Sequence, residues 1–331
     1  MARDQRPQPG RRALGICLGA AGLAAPARGQ DGRPLRILVG FPPGGGLDLI
    51  ARLLAERLQS SGTRAVIVDN RAGGGGRVAA EMLAQAPGDG TTVMAAPIVV
   101  SVFFPFTHRS LAFDPLRDLA PLTKIGTFTF ALVVRADHPA RDLAHFATWA
   151  RERGDRVNFG SLSAGTPSHF LGLMFNRAAG TALVHVPYRG SAPLQIALLA
   201  GEVEAGFDTT TSALGQLRAG RLRALAVTGA ERSAALPDVP SFAEAGLAMR
   251  EMAEAALWFG LYAPGRSPPA IIDRLSADMR AALEDPALSA RLREMDIVPR
   301  PMTPEAFAAV IAADVRRWGP IIRASGFTVS E

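Results

Sequence analysis

Residues Arg36-Ile-Leu-Val-Gly-Phe-Pro-Pro-Gly-Gly-Gly-Leu-Asp48 run from a short apolar strand through a proline–glycine turn into an amphipathic helix. This arrangement suits an anion held by the main chain. Pro42 and Pro43 stiffen the turn, and Gly44, Gly45 and Gly46 remove every Cβ that would keep a ligand from the backbone. The helix that follows offers unpaired N–H groups and the positive end of its dipole, so a carboxylate or phosphate can sit there without a cationic side chain. Candidate contacts are Phe41, Pro43, Gly44, Gly45, Gly46, Leu47 and Asp48.

A second candidate cluster is Ser161-Leu-Ser-Ala-Gly165, which approaches the nucleophile elbow G-x-S-x-G but lacks its first glycine. A hydrolase using Ser163 and His169 is therefore a weak reading, because no acid is placed to orient the histidine. Ser161, Ser163, Gly165, Thr166, Ser168 and His169 read better as a second anion cradle at a helix start. Ordinary capping by Thr166 or Ser168 explains the same hydroxyls equally well. Tyr188 ends a strand and either gives its hydroxyl to a ligand or packs. Asp208, also at a strand end, either accepts from a ligand or caps the next helix.

Other motifs exclude more than they offer. Gly74, Gly76 and Ala79 fit G-x-G-x-x-A, but the following strand ends Met94-Ala-Ala-Pro97, without the acidic residue that holds a ribose. A turn packed close to the first glycine loop is the better reading. No Gly-Lys-Ser/Thr follows either loop, which excludes a P-loop. The five histidines show no ligand spacing and no cysteine company, so neither a metal nor any other cofactor is expected.

The elements that must position these residues alternate. Strands are expected at Arg36–Gly40, Ala65–Val68 and Thr92–Ala95, and helices at Leu49–Ser60 and Arg77–Gln85. Such βαβαβ order gives a parallel sheet whose carboxyl edge carries both the Phe41–Gly46 turn and the turn at Pro97. After Phe130–Arg135 a second unit follows. It comprises helices at Leu143–Arg153, from Ser168 and at Pro193–Ala200, with strands at Val157–Gly160, Leu183–Val186, Glu204–Phe207 and Leu222–Val227. Trp258–Ala263 is a further strand, leading to helices Ala270–Glu284 and Pro304–Ser325.

At 331 residues and 48% hydrophobic content the chain can bury a large core, and its length favours two lobes. Arg3, Arg6, Arg11 and Arg12 precede a short apolar run, Ala13–Ala25, and an Ala25-Pro26-Ala27 cleavage site, which is the layout of an export leader over residues 1–27. The run is too short and too rich in Gly and Ala to span a membrane. Arg11-Arg12 leaves the twin-arginine and general export routes both open. Cys17 lies inside the apolar run behind the bulky Ile16, so it leaves with the leader and no lipoprotein anchor is expected. The leader holds +3 of the formal charge of +6. No basic run follows it, so no nucleic-acid partner is expected.

Taken in order, the Arg36–Asp48 segment, Val68–Gly76, Ala86-Pro-Gly-Asp-Gly90, Val184-His-Val-Pro-Tyr-Arg-Gly190, Leu222–Thr228 and Leu236-Pro-Asp-Val-Pro240 resemble the extracytoplasmic receptors of tripartite tricarboxylate transporters, the Bug family. The resemblance covers nearly all of the chain after the leader. It implies a type II periplasmic binding protein with two α/β lobes, each a mixed or mainly parallel sheet flanked by helices, and a ligand cleft between them. Lobe 1 would comprise 31–133 and 255–331, and lobe 2 would comprise 134–254. It also implies a periplasmic, monomeric protein that catalyses nothing and closes on a small organic acid for the membrane permease subunits. By position, Phe41–Asp48 and Ser161–His169 would hold the carboxylate, with Tyr188 and Asp208 contributing from the second lobe. Leu47 stands where a hydroxyl residue is common in the family, and Asp208-Thr209 where an aspartate–asparagine pair is often seen. An exported sensing module built on the same closure is the alternative reading.

Overall fold

A computed structural model describes residues 32–62, 64–247 and 257–329. The leader expected at 1–27, including Cys17, lies outside these residues. Strand β1 (Leu35–Val39) is buried at every residue but Arg36 and sits between two parallel neighbours, β2 (Val66–Asn70) and β3 (Thr92–Pro97). Helix α1 (Gly46–Ser60) crosses from β1 to β2. It buries Leu47, Ile50, Ala51, Leu54, Ala55 and Leu58, a single stripe at helical spacing. Helix α2 (Arg77–Gln85) makes the next crossover. A π-helical turn (Val99–Phe103) and the short α3 (Phe104–Thr107) follow β3.

Strand β4 (Leu119–Phe128) is the main element that local pattern did not reveal. Pro121, Lys124 and Gly126 spoil its strand signature. It forms nonetheless by pairing antiparallel with β10 (Leu257–Pro264), with two register shifts that absorb the poor formers. The first sheet has the order β11-β4-β10-β3-β1-β2, with β11 at Val298–Pro299.

Only Thr129 separates β4 from β5 (Phe130–Arg135), which belongs wholly to the second sheet. That sheet runs β7-β6-β8-β5-β9, with β6 at Asn158–Ser161, β7 at Val184–Pro187, β8 at Ala205–Thr209 and β9 at Leu222–Val227. Strands β6, β7 and β8 are parallel, and β5 is antiparallel to both of its neighbours. Helices α4 (Leu143–Arg153), α5 (Pro167–Ala179), α6 (Ser191–Ala200) and α7 (Thr210–Arg218) flank it. The chain returns to the first sheet at β10 and continues through α8 (Pro269–Glu284), α9 (Pro286–Glu294) and α10 (Pro304–Ala324). The result is the two-lobed α/β fold of mixed sheets expected from the sequence.

Candidate ligand-binding cleft

Between the sheets lies a narrow cleft, partly open to solvent. Four helices begin on its wall: α1 at Gly45, Gly46 and Leu47, α5 at Thr166 and Pro167, α6 at Ser191 and Ala192, and α7 at Thr209 and Ser212. Among the described residues, those lining the cleft include no charged side chain. Positive potential there comes from main-chain dipoles and N–H groups.

Of the residues expected from sequence, Phe41, Gly45, Gly46, Leu47, Pro97 and Thr166 line the cleft. The others stand behind the wall or beside it. Gly44 carries the positive φ of the proline–glycine turn (+83°), and its N–H donates to Asp48 Oδ2 at 2.9 Å. Buried Asp48 also accepts from Arg52 Nε and from Asn70 Nδ2, both at 2.9 Å. Burial opposes its ionisation, yet the bonds from Arg52, Gly44 and Asn70 outweigh that effect and hold the carboxyl below its usual range. The same Asn70 amide donates to Phe41 O at 3.1 Å, so one side chain ties both ends of the turn. Pro43 lies within that turn but not on the wall. A Cβ on Gly40 would strike Gly76 Cα, so the second glycine loop does pack against the first.

The serine-rich loop is mostly engaged with itself. Thr166 Oγ1 donates to Ser163 O at 2.7 Å and pairs with Ser168 Oγ at 2.8 Å, while Ser168 Oγ accepts from Leu162 N–H. Ser161 Oγ lies 2.7 Å from His185 Nε2 and donates to Ser163 O. His169 Nδ1 accepts from Gly165 N–H at 3.3 Å, and its ring stacks on His185 at 3.8 Å. Burial, then its neighbour His185, pushes the His169 pKa down to about 3; burial alone takes His185 to about 4. Both rings are therefore neutral at pH 7. Ser163 instead meets the other lobe, since a Cβ on Gly75 would lie 3.3 Å from its hydroxyl.

Asp208 is fully buried behind the wall. It accepts from Ser191 Oγ at 2.5 Å, Gln195 Nε2 at 2.7 Å and Thr209 N–H at 2.8 Å. Burial raises its pKa to about 6 against the pull of those donors. Thr209, not Asp208, caps the helix that follows, through its bond from Ser212 N–H. Tyr188 is half-buried against Gly160, and burial, followed by repulsion from Glu202, raises its pKa. It does not line the cleft.

Sequence reasoning missed Ser212, Ser191 and the aromatic part of the wall. Ser212 Oγ accepts from Gly46 N–H at 2.8 Å and from Thr209 Oγ1 at 2.9 Å, bringing the two lobes into direct contact. The spacing Thr209-Thr-Thr-Ser212 behind a strand is an N-terminal capping signal that could have marked it. Phe128, Phe130 and Phe259 line the base of the cleft, with Phe128 stacked on Phe259 at 4.1 Å.

The family model described as "Tripartite tricarboxylate transporter family receptor" matches residues 50–327. The chain is 33% identical over 319 residues to protein BugT of Bordetella pertussis, spanning 95% of this chain and 96% of the relative. A Rhodopseudomonas palustris protein solved with adipate is 30% identical with a TM-score of 0.85, over 89% of this chain and 98% of that one. MatC from the same organism, solved with bound malate, is 28% identical with a TM-score of 0.81, over 88% and 99%. Among the described residues no helix is long and apolar enough to cross a membrane. The family consists of receptors, and this chain is a receptor, not an enzyme. With its mixed-sheet lobes and a match over most of its length, the chain belongs to the tripartite tricarboxylate transporter family of receptors, the Bug family of type II periplasmic binding proteins.

Proposed function

We propose that this protein captures a small organic carboxylate in the interlobe cleft and hands it to the membrane permease subunits of a tripartite tricarboxylate transporter. The observation that carries the reading is the meeting of four helix N-termini on a wall without charged side chains. An anion is the species such a site favours. The adipate and malate held by two relatives support the carboxylate class.

In this reading the N–H groups of the first turn of α1 and the hydroxyl of Ser212 contact the carboxylate, with Thr166, Ser191 and Thr209 beside them. Asp48, Ser161, Ser163, Ser168, His169 and Asp208 act as positioning residues. The lobes divide at Thr129, four residues before the expected boundary, because β5 lies entirely in the second sheet. The return crossing falls between Ser241, which bridges to β9, and Leu257. The ligand drives closure through contacts that differ between the open and closed forms. The receptor works as a monomer in the periplasm after loss of residues 1–27.

Thermal-shift and calorimetric titration across organic acids test the reading. A carboxylate that raises the melting temperature and compacts the protein in small-angle scattering is the expected result. A protein that binds no carboxylate, or binds one without compaction, would overturn it. Intact-mass analysis of periplasmic protein checks the leader.

A further inference from the structure

We infer that the ligand of this receptor carries a single carboxylate on an uncharged, apolar body, an inference that rests on the carboxylate-receptor reading above. It follows from where the donors on the cleft wall are already spent. Four hydroxyls line the cleft, and three of them donate within the protein: Ser191 to Asp208 Oδ1, Thr166 to Ser163 O, and Thr209 to Ser212 Oγ. Only Ser212, which accepts from Gly46 N–H and from Thr209, has a proton not committed to an acceptor among the described residues. Helix α5 is weakened as a second anchor, since Pro167 at its first position has no N–H. The N–H groups of Leu162 and Gly165 in the loop before it are taken by Ser168 Oγ and His169 Nδ1.

Among the hydroxyls of the wall, the one that keeps a proton for a ligand therefore lies where α1 meets α7. Much of the remaining wall is hydrocarbon: Phe128 and Phe259 stacked at 4.1 Å, Phe130 beside them, and Ile98, Val99 and Leu162. These aromatic rings are nearly fully buried, and none carries a donor. A second carboxylate placed there would lose its water and gain no hydrogen bond. A methyl or phenyl end would instead gain contact with the aromatic faces. This cleft thus suits an acid unlike the adipate and malate of the solved relatives.

Paired ligands of equal carbon skeleton test the inference on the full exported protein: hexanoate against adipate, and 4-methylbenzoate against terephthalate, by titration calorimetry at several temperatures. The monocarboxylate of at least one pair is expected to bind at least about 10-fold more tightly, with a negative heat-capacity change from apolar burial. Adipate, terephthalate or malate binding as tightly as or more tightly than the monocarboxylates would overturn this inference and leave the receptor reading intact. If neither these acids nor a wider set of carboxylates bind, both fall together.

Discussion

The backbone N–H of Gly46 donates to Ser212 Oγ at 2.8 Å, joining the first turn of α1 to the first turn of α7 across 166 residues of sequence. The contact is possible because Gly46 has no side chain. A Cβ there would lie 2.9 Å from both Ser212 Oγ and Thr211 Cγ2.

Gly46→Ala should therefore hold the lobes apart. We expect affinity for the bound acid to fall at least about 10-fold while the melting temperature changes little, because alanine is the better helix residue and offsets part of the clash. Gly45→Ala is the contrast, since its Cβ would meet Pro42 O at an ordinary 3.6 Å and its φ is −75°. Calorimetry and scattering on both variants separate the effects; equal affinities would remove Gly46 from the site.

Asn70 latches the proline–glycine turn by donating to Phe41 O and Asp48 Oδ1. Asn70→Ala leaves Asp48 with fewer donors and should cost about 1–3 kcal/mol of stability. Ligand affinity should fall as well, because the turn loses its anchor. Chemical denaturation with titration of the same variant checks both, and a loss of stability with unchanged affinity would make the latch purely structural.

Asp208 gathers Ser191, Gln195 and Thr209 from three directions. Asp208→Ala strands these donors in a buried place and should destabilise the protein by several times the ~1 kcal/mol of an ordinary hydrogen bond. Asp208→Asn keeps one acceptor and should cost less. A melting series of the two variants tests the order.

The stacked histidines predict acid sensitivity. Their folded pKa values, about 3 for His169 and about 4 for His185, lie below the unfolded value of ~6.5. The stability they contribute is present above pH ~6.5 and is lost as pH falls toward 4, at up to about 1.4 kcal/mol per pH unit for each ring. Asp208 acts in the opposite sense: with its pKa raised to about 6, its contribution is full below pH ~4 and is lost as pH rises through 6. His169→Gln keeps an acceptor for Gly165 but does not titrate at these pH values. Its stability should fall less steeply than that of the wild type between pH 6 and 4, measured by denaturant unfolding at each pH.

Much of the fold was legible because its signals are local. The stripe of Ile50, Leu54 and Leu58 and the apolar run of β1 identify α1 and β1 without any knowledge of their partners. Strand β4 was not legible, because it forms through pairing with β10, a strand more than 120 residues further along the chain. Helix α7 follows β8 without a loop, so the capping alternative at Asp208 pointed to a helix there but no break in the sequence marked its bounds.

The cleft divides along the same physical line. The residues from Phe41 to Asp48 determined by themselves a rigid, Cβ-free turn before a helix N-terminus, because those properties depend on backbone sterics and neighbouring residues. Tertiary structure decided which hydroxyls keep a proton for a ligand, since Ser191 is spent on Asp208 and Ser212 is not. It also decided that Phe128, Phe130 and Phe259 meet at the base of the cleft, because the chain changes sheets at Thr129 and pairs β4 with β10. Hydrogen-bond partners and cavity walls are relations between distant segments, and composition and spacing along one segment do not encode which distant segment will face it.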